Sequence, residues 1–286
     1  MSFLLDGGSR VWPRPIDLAA FPADVEREIR RLLQLSPHVP PTLEDMWYLL
    51  DLVWDELGCD PEKPLADNVA AFYAHPVWVL NGLFIEQDAV SMGHRMALAN
   101  WVAGQGEGIH TVLDFGGGFG TLARVLASRC PGTMVLVYEP YARVPERASP
   151  SPMPNLAYTD TLAGSVDCLV AMDVLEHVSD PLDVLSQMGS SVRSGGLLLV
   201  ANNFYPCIKC HLPRNYHLRY TFRLFARLMG FQYLGRCEGS HAEAYRKARN
   251  SAAPWVLVRL TEYLSRLAYP FFWLVHRAYR RLKRPV

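Results

Sequence analysis

The chain has 286 residues, of which 50% are hydrophobic and 20% are charged, so it is long and apolar enough to form a sizeable core. Its 28 basic residues balance its 28 acidic ones, which leaves no overall field to recruit nucleic acid. We therefore expect a globular chain with no nucleic-acid partner.

The first residues, "MSFLLDGGSRVWPRP", have no basic stretch ahead of a long apolar run, which argues against a signal peptide and predicts a cytoplasmic location. The six cysteines lie mostly inside apolar patterns, where a free cysteine behaves as a small buried hydrophobic residue. No disulfide framework is indicated.

The N-terminal third has apolar residues at helical spacing in four stretches, "VEREIRRLLQL", "LEDMWYLLDLVWDEL", "NVAAFYAHPVWVLNGLF" and "SMGHRMALANWVA". Prolines between and within these stretches predict several short helices rather than a few long ones. We assign residues 1–108 to this helical region.

Strands and helices then alternate from Thr111 to about Arg236. The apolar runs "TVLDF", "MVLVYE", "LAY", "DCLVAM" and "LLLVANN" resemble strands buried on both faces, which favours a parallel sheet. A loop rich in proline and serine, "PYARVPERASPSPMP", stands where one crossover helix should be. Residues 109–245 form the predicted α/β domain.

The stretch "TVLDFGGGFGTLARVLA" predicts a strand, a glycine-rich turn and a helix, in which a ligand can approach the backbone closely. A dinucleotide-binding turn has its glycines at other offsets. Here Asp114 precedes Gly116, Gly118 and Gly120, and its carboxylate would repel a pyrophosphate but attract an ammonium group.

The next strand ends in Glu139, 25 residues after Asp114. A carboxylate at this position can accept hydrogen bonds from both hydroxyls of a ribose. The two acidic residues together predict a nucleoside ligand with a cationic tail.

With "VDCLVAMDVLEHVSDP" as the fourth strand and "HLRYTFRLFARLMGF" as the last crossover helix, the chain resembles class I S-adenosylmethionine-dependent methyltransferases of the small-molecule branch. The resemblance implies a doubly wound, mostly parallel α/β sheet of Rossmann-like type with an N-terminal helical cap and a C-terminal helical extension. It also implies methyl transfer from S-adenosylmethionine to an oxygen, nitrogen or carbon atom of a small molecule, which could be linked to lipid or sugar.

The resemblance further implies roles for individual residues. Asp114 and Gly116 would lie near the methionine part, Glu139 would hold the ribose, and Asp160 would lie near the adenine amine. The full expected cofactor set is Asp114, Gly116, Gly117, Gly118, Gly120, Glu139, Pro140, Asp160, Met172 and Asp173.

Three other interpretations remain open at this point. The glycines could merely let a helix pack close to the sheet, and a dehydrogenase would need a hydride-transfer constellation that the sequence does not show. The third is a non-catalytic module that keeps the cofactor fold and serves in assembly.

Candidate proton acceptors for the reaction are His177, directly after the fourth strand, and Tyr216 and His217 in the loop after the fifth. That loop also contains His211 and Tyr220, and its basic residues Lys209, Arg214 and Arg219 would suit an acidic acceptor. For each of these residues a purely structural role is the alternative.

The same loop raises the question of a metal. Cys207 and Cys210, followed later by Cys237 and His241, have spacings at each end that are compatible with zinc, although unligated cysteines are the simpler interpretation. The expected set of site residues therefore contains no metal ligand.

Helices just before the first strand commonly form a lid over the cofactor in the family that the chain resembles. The expected pocket-wall residues are Phe84, Glu86, Gln87, Met92, His94 and Arg95. A core-packing helix pair is the alternative, and Trp78, Leu83 and Trp101 are assigned to the core.

Residues 246–286 form a predicted amphipathic extension. As a helix, it places Val256, Leu260, Leu264, Leu267, Phe271, Leu274, Ala278 and Leu282 on one stripe. The stripe could pack on the domain, or the aromatic residues 269 and 271–273 and the basic residues 277, 280, 281, 283 and 284 could bind an anionic membrane surface. Its first residues, "WVLVRLT", are also the candidate for a seventh strand.

Overall fold

The computed structural model of the protein describes residues 17–106, 108–141, 153–162 and 164–282. A short 3-10 turn at Leu18–Ala20 precedes four helices, α1 (Ala23–Leu35), α2 (Leu43–Glu56), α3 (Ala66–Tyr73) and α4 (Val77–Gln87). Pro22 and Pro76 occupy the N-cap positions of α1 and α4, and a reciprocal capping box between Thr42 and Asp45 begins α2. The predicted division into short helices at prolines is confirmed.

These four helices share their own apolar core, which we call the cap core. Phe72 lies at its centre, and its ring packs edge-on against Trp54 at 5.0 Å and Trp78 at 5.5 Å between centroids. The loop after the fifth strand contributes Ile208, Cys210 and Leu212 to the same core. The cap is therefore joined to the loop that borders the carboxyl ends of the strands.

The sheet has seven strands in the order β3-β2-β1-β4-β5-β7-β6. They are β1 (Thr111–Phe115), β2 (Met134–Tyr138), β3 (Leu156–Thr159), β4 (Val166–Met172), β5 (Val192–Ala201), β6 (Phe231–Arg236) and β7 (Glu243–Lys247). All pairs from β3 to β5 are parallel, and β7 runs antiparallel to both β5 and β6. The expected doubly wound, mostly parallel sheet is confirmed.

Helices cover both faces of this sheet. On one face, α5 (Ala89–Ala103) and α6 (Thr121–Arg129) pack on Val112, Val135 and Val170, and on the other, α7 (Pro181–Ser191) and α8 (Leu218–Leu228) pack on Leu113 and Leu169. Neighbouring strand residues thus point to opposite faces, and both faces are apolar, which is why the strands read as continuous apolar runs.

The seventh strand is not the segment that the sequence suggested. The strand is Glu243–Lys247, whereas "WVLVRLT" begins the helix α9 (Trp255–Leu282). Three of the five β7 residues are charged, so no apolar run marks it, but Ala244 and Tyr245 are buried against the sheet. The proline-rich segment at 142–152, where a short or missing crossover helix was predicted, lies outside the described residues.

The C-terminal helix α9 packs on the domain through its more polar side. Val258, Glu262 and Ser265 are buried, and the Ser265 hydroxyl lies 2.8 Å from both His217 Nδ1 and Thr221 Oγ1 of the α8 region. The predicted apolar stripe faces away from the domain: its exposed members are Val256, Leu260, Leu264, Leu267, Phe271 and Leu274. Within the described part of the chain, no helix is long and apolar enough to cross a bilayer.

Candidate functional site

A deep cleft lies at the carboxyl ends of the strands, where the chain order reverses between β1 and β4. Its cavity volume is about 1090 Å³, and it is lined by the ends of β1, β2 and β4 on one side and by the helical cap on the other. Pockets for a single drug-sized ligand usually have about 300–1,000 Å³. The cleft therefore lies at the upper end of the range for small-molecule sites.

The glycine-rich turn forms the wall of the cleft below β1. Gly116, Gly118 and Gly120 have φ angles of +68°, +50° and +74°, which a residue with a side chain adopts only with strain. The Gly116 amide donates to the Tyr138 carbonyl at 2.8 Å, so the turn is tied to the end of β2. A Cβ atom added at Gly116 would lie 2.7 Å from Val174 Cγ2. The turn thus needs glycine both for its dihedral angle and for its packing.

Replacing Gly116 with alanine is expected to lower the free energy of unfolding by about 1–2 kcal/mol, because the new side chain combines a left-handed conformation with the contact to Val174. Gly93→Ala, on an exposed position inside α5 with open space around it, should instead raise that free energy by about 0.5–1 kcal/mol. Urea unfolding of both variants measures the difference. Equal stabilities would contradict this account of the turn.

Asp114 is the next-to-last residue of β1, lines the cleft and is buried. Burial raises the pKa of its carboxyl group to about 7, against the opposing effect of the Arg95 charge. Within the described part of the chain, its buried Oδ2 atom has no hydrogen-bond partner. A buried oxygen without a hydrogen bond lowers the stability of the fold. A ligand that donates a hydrogen bond to this oxygen would remove that cost, and a cationic donor would interact most strongly with the carboxylate.

Glu139 follows β2 and faces the same wall. Its two carboxylate oxygens accept hydrogen bonds from the Gly118 and Tyr141 amides, each at 3.0 Å. Burial raises the pKa of Glu139, and these two amides oppose the rise. Each carboxylate oxygen has a second lone pair, so the held side chain can still accept hydrogen bonds from a diol.

Met172 and Asp173 line the cleft at the end of β4. Asp173 has a φ of +55°, unusual for a residue with a side chain, and its Oδ1 lies 3.1 Å from His241 Nε2. Burial raises the pKa of Asp173, but the hydrogen bond and charge of His241 outweigh it and hold the pKa below its usual value. A backbone outlier of this kind is typical of functional positions.

Not every expected cofactor residue reaches the cleft. Gly117, Gly118 and Pro140 line it, whereas Gly120 begins α6 behind the turn and Asp160 is exposed beyond β3 without lining it. The role of Asp160 beside adenine therefore stays a prediction without support from position.

The expected pocket-wall residues also divide. Phe84, His94 and Arg95 line the cleft. Burial lowers the pKa of Arg95, and the nearby charges of Asp173 and Asp114 oppose this effect. Glu86 instead forms an ion pair with Arg124 of α6, which fastens α4 to the domain. Gln87 and Met92 are not among the lining residues, whereas Trp78, which the sequence assigned to the core, is one of them.

The candidate proton acceptors are separated by the fold. His177 lines the cleft, and burial together with the neighbouring His211 lowers its pKa to about 3, which leaves little basicity for proton abstraction. His217 lies outside the cleft lining, in contact with Ser265, and Tyr216 donates its hydroxyl to the His211 carbonyl at 2.9 Å. The geometry thus favours structural roles for His217 and Tyr216.

The four residues of the suggested zinc set are not brought together. Cys237 packs in the core of the sheet beside α5 and α6, Cys210 packs in the cap core, and His241 pairs with Asp173. Among the described residues, the only cluster with the geometry of metal ligands is Glu176, His177 and His211. The spacing along the chain does not bring the four residues together, because Cys210 and Cys237 are buried in different cores.

Three cleft residues escaped the sequence interpretation: Trp78 was assigned to the core, and Trp47 and Tyr73 were given no role, because their positions depend on how the cap docks. The helical cap contributes Trp47, Tyr73, Trp78 and Phe84 to the lining of the cleft, and we call these four residues the aromatic chamber. The rings of Tyr73 and Trp78 lie 5.4 Å apart, and each is about 6 Å from the His177 ring, at 6.1 and 5.8 Å. Of the four, the sequence predicted only Phe84 as a pocket-wall residue.

A family model described as a methyltransferase domain matches residues 80–234. An O-methyltransferase family protein from Burkholderia thailandensis has a similar structure, with 18% identity and a TM-score of 0.50 over 71% of this chain and 69% of that one. The CurJ carbon methyltransferase gives 14% identity and a TM-score of 0.53 over 78% and 71% of the two chains. Human N-acetylserotonin methyltransferase, solved in complex with SAM, gives 18% and 0.41 over 79% and 65%. No curated protein matches the chain significantly.

Proposed function

The chain belongs to the methyltransferase family whose model matches residues 80–234, and we propose that it transfers a methyl group to an oxygen, nitrogen or carbon atom of a small organic acceptor. Its cofactor is S-adenosylmethionine, as the resemblance in the sequence implied. The observation that carries the proposal is the cleft itself, which joins a polar cofactor wall to the aromatic chamber.

The polar wall fits the cofactor by its charges. The methionine part has an ammonium and a carboxylate, and the structure offers the unpaired Asp114 oxygen for the first and the Arg95 guanidinium for the second. Glu139 suits the ribose hydroxyls, and the bare backbone of Gly116–Gly118 permits close approach. These assignments are proposals. They are supported by the unpaired oxygen of Asp114 and by the burial of Arg95 and Glu139.

The cofactor supplies an electrophilic methyl group on a sulfonium, so the protein's task is to orient the acceptor and to exclude water. The aromatic chamber suits this task, because flat apolar walls bind a flat apolar acceptor and leave few sites for ordered water. Tyr73 also donates its hydroxyl to the His177 carbonyl at 3.3 Å, which holds the chamber against the end of β4. We therefore expect an acceptor with an aromatic or unsaturated portion, free or linked to lipid or sugar.

The test is turnover of methyl-labelled S-adenosylmethionine with fractions of a metabolite extract. We expect label to enter an organic product in at least one fraction, with one S-adenosylhomocysteine formed for each methyl group transferred. Glu139→Ala serves as the control that removes a proposed cofactor contact. Cofactor binding without turnover in any fraction would favour the alternative function, a non-catalytic binding or assembly module.

A second proposal concerns α9, whose apolar side is exposed among the described residues. Val256, Leu267 and Phe271 are 81%, 61% and 66% exposed. Contiguous apolar surface of this kind marks an interaction site. The sequence adds Arg277, Arg280 and Arg281 at its C-terminal end, and the Arg277 guanidinium lies 5.1 Å from the Trp273 ring centroid.

An apolar helix side beside aromatic and basic residues is complementary to an anionic lipid surface, where each basic residue contributes about 1 kcal/mol. We assign the α9 surface to peripheral attachment at the cytoplasmic face of a membrane. The six free cysteines support a reducing compartment. Attachment there would give the cleft access to lipid-soluble acceptors.

A further inference from the structure

A compact cluster of potential metal ligands borders the aromatic chamber. Glu176, His177 and His211 each offer one ligand atom, and these atoms all lie within 4.8 Å of one another. All three residues line the cleft. Two of them follow β4 and the third comes from the loop after β5, so the fold rather than the chain order brings them together.

Two polar atoms of these residues make no hydrogen bond within the described part of the protein. Glu176 Oε2 and His177 Nδ1 are buried and have no hydrogen-bond partner there. Leaving such atoms unpaired costs about 1–3 kcal/mol each, so an orphaned pair in one place indicates a missing ligand. A carboxylate oxygen and an imidazole nitrogen are both metal-ligand atoms.

The surrounding backbone holds the side chains in an orientation suited to binding. The Asn203 amide donates to Glu176 Oε1 at 2.6 Å, and His211 Nδ1 lies 2.8 Å from the Tyr205 carbonyl. Because a carbonyl only accepts, His211 Nδ1 carries the proton and Nε2 keeps its lone pair. Metal-binding histidines are typically oriented by such a carbonyl on the other ring nitrogen.

We propose that Glu176, His177 and His211 bind one divalent transition-metal ion at the acceptor end of the cleft. Two imidazoles and one carboxylate form the ligand set of catalytic zinc sites and of sites for other first-row ions, whereas Mg²⁺ and Ca²⁺ prefer oxygen ligands. Three protein ligands leave a coordination position open toward the cleft. Ligand distances of about 2.1 Å require the ligand atoms, which lie within 4.8 Å of one another, to move closer together when the ion binds.

The role of this ion in catalysis rests on the proposed function. A hydroxyl or phenol oxygen of the acceptor would take the open position, and a divalent ion lowers the pKa of such an oxygen. The acceptor would then release its proton to solvent water, the methyl group would pass from the sulfonium to that oxygen, and S-adenosylhomocysteine would be left. His177 would act as a ligand and not as the proton acceptor.

Calorimetric titration of chelator-treated protein with Mn²⁺ or Co²⁺, without cofactor or acceptor, tests the site. These ions are chosen because the six free thiols could bind Zn²⁺ elsewhere. We expect one ion per chain, and a loss of affinity of at least about tenfold in Glu176→Gln and in His211→Asn, since removal of one ligand has that effect or more. His94→Asn, a cleft histidine outside the cluster, is the matched control and should bind as the wild type.

Binding of S-adenosylhomocysteine by each variant checks that it is folded. The proposal is overturned if the wild type binds no ion, or if Glu176→Gln and His211→Asn both bind it unchanged. Methyl transfer by the chelated protein at the full rate would overturn only the catalytic role of the ion. Absence of methyl transfer with intact metal binding would leave the site in place and contradict the proposed function.

Discussion

Substituting glutamate for Leu264 and Leu267 of α9 is expected to weaken binding to anionic vesicles at least a hundredfold. Both side chains are exposed, at 55% and 61%, and lie on the apolar side that would enter the interface. Each leucine that leaves water contributes about 1.5–3 kcal/mol, so the loss of two removes roughly 3–6 kcal/mol before charge repulsion is added. Sedimentation with vesicles rich in anionic lipid, in low salt, measures the change.

The matched control is Leu65→Glu with Met134→Glu, which adds the same charge at two exposed positions outside α9. It should sediment almost as the wild type, because the basic end of α9 is unchanged. Point substitutions are preferable to a chain that ends at Ala253, since removal of α9 would uncover the site where Val258 is buried.

Two results would contradict the membrane proposal. Wild-type protein that stays in the supernatant with every vesicle composition would exclude it directly. A wild type that is dimeric without lipid, and monomeric with Leu264→Glu and Leu267→Glu, would assign the α9 surface to a second copy of the chain instead.

Replacing Glu139 with alanine is expected to weaken binding of S-adenosylhomocysteine by roughly 1.5–3 kcal/mol, or about tenfold to 150-fold. The carboxylate is held by the Gly118 and Tyr141 amides, so its removal takes away the contacts to the ribose and also one support of the glycine-rich turn. Isothermal titration calorimetry gives the affinity, and urea unfolding shows how much of the change is a loss of stability.

Glu238→Ala, an exposed glutamate outside the cleft, should bind S-adenosylhomocysteine as the wild type. The proposed role of Glu139 fails if both variants bind equally well. Tight binding of NADH with no response to S-adenosylhomocysteine would instead mean that the glycine-rich turn holds a dinucleotide.

The wall that we propose for the cofactor was largely predictable, because its residues lie at the ends of their strands or directly after them. A strand that ends in a carboxylate and a turn of glycines is visible locally, and the carboxyl ends of neighbouring parallel strands must meet at one edge of the sheet. Asp114, Gly116 and Glu139 line the cleft for this reason. Asp160 does not line it, although it also follows its strand, because β3 lies at the edge of the sheet, two strands away from β1.

The acceptor side was less predictable because it combines three distant parts of the chain. Tyr73 and Trp78 come from the cap, His177 from the end of β4 and His211 from the loop after β5. Glu176 precedes His177 in "DVLEHV", yet a single acidic residue in a turn carries no signal until its unpaired oxygen is seen beside two imidazoles.

The sequence by itself determined the class of the protein, because strand and helix periodicity and the order of the motifs are local properties. Tertiary structure alone decided that β7 is the charged segment Glu243–Lys247, which becomes a strand by pairing between β5 and β6. It also decided which side of α9 packs on the domain. The apolar side of that helix would be expected to pack inward, but its polar side meets the domain instead: Arg259 forms an ion pair with Asp180, and Ser265 contacts His217. Such polar contacts depend on partners far along the chain, and periodicity cannot reveal which side of a helix meets them.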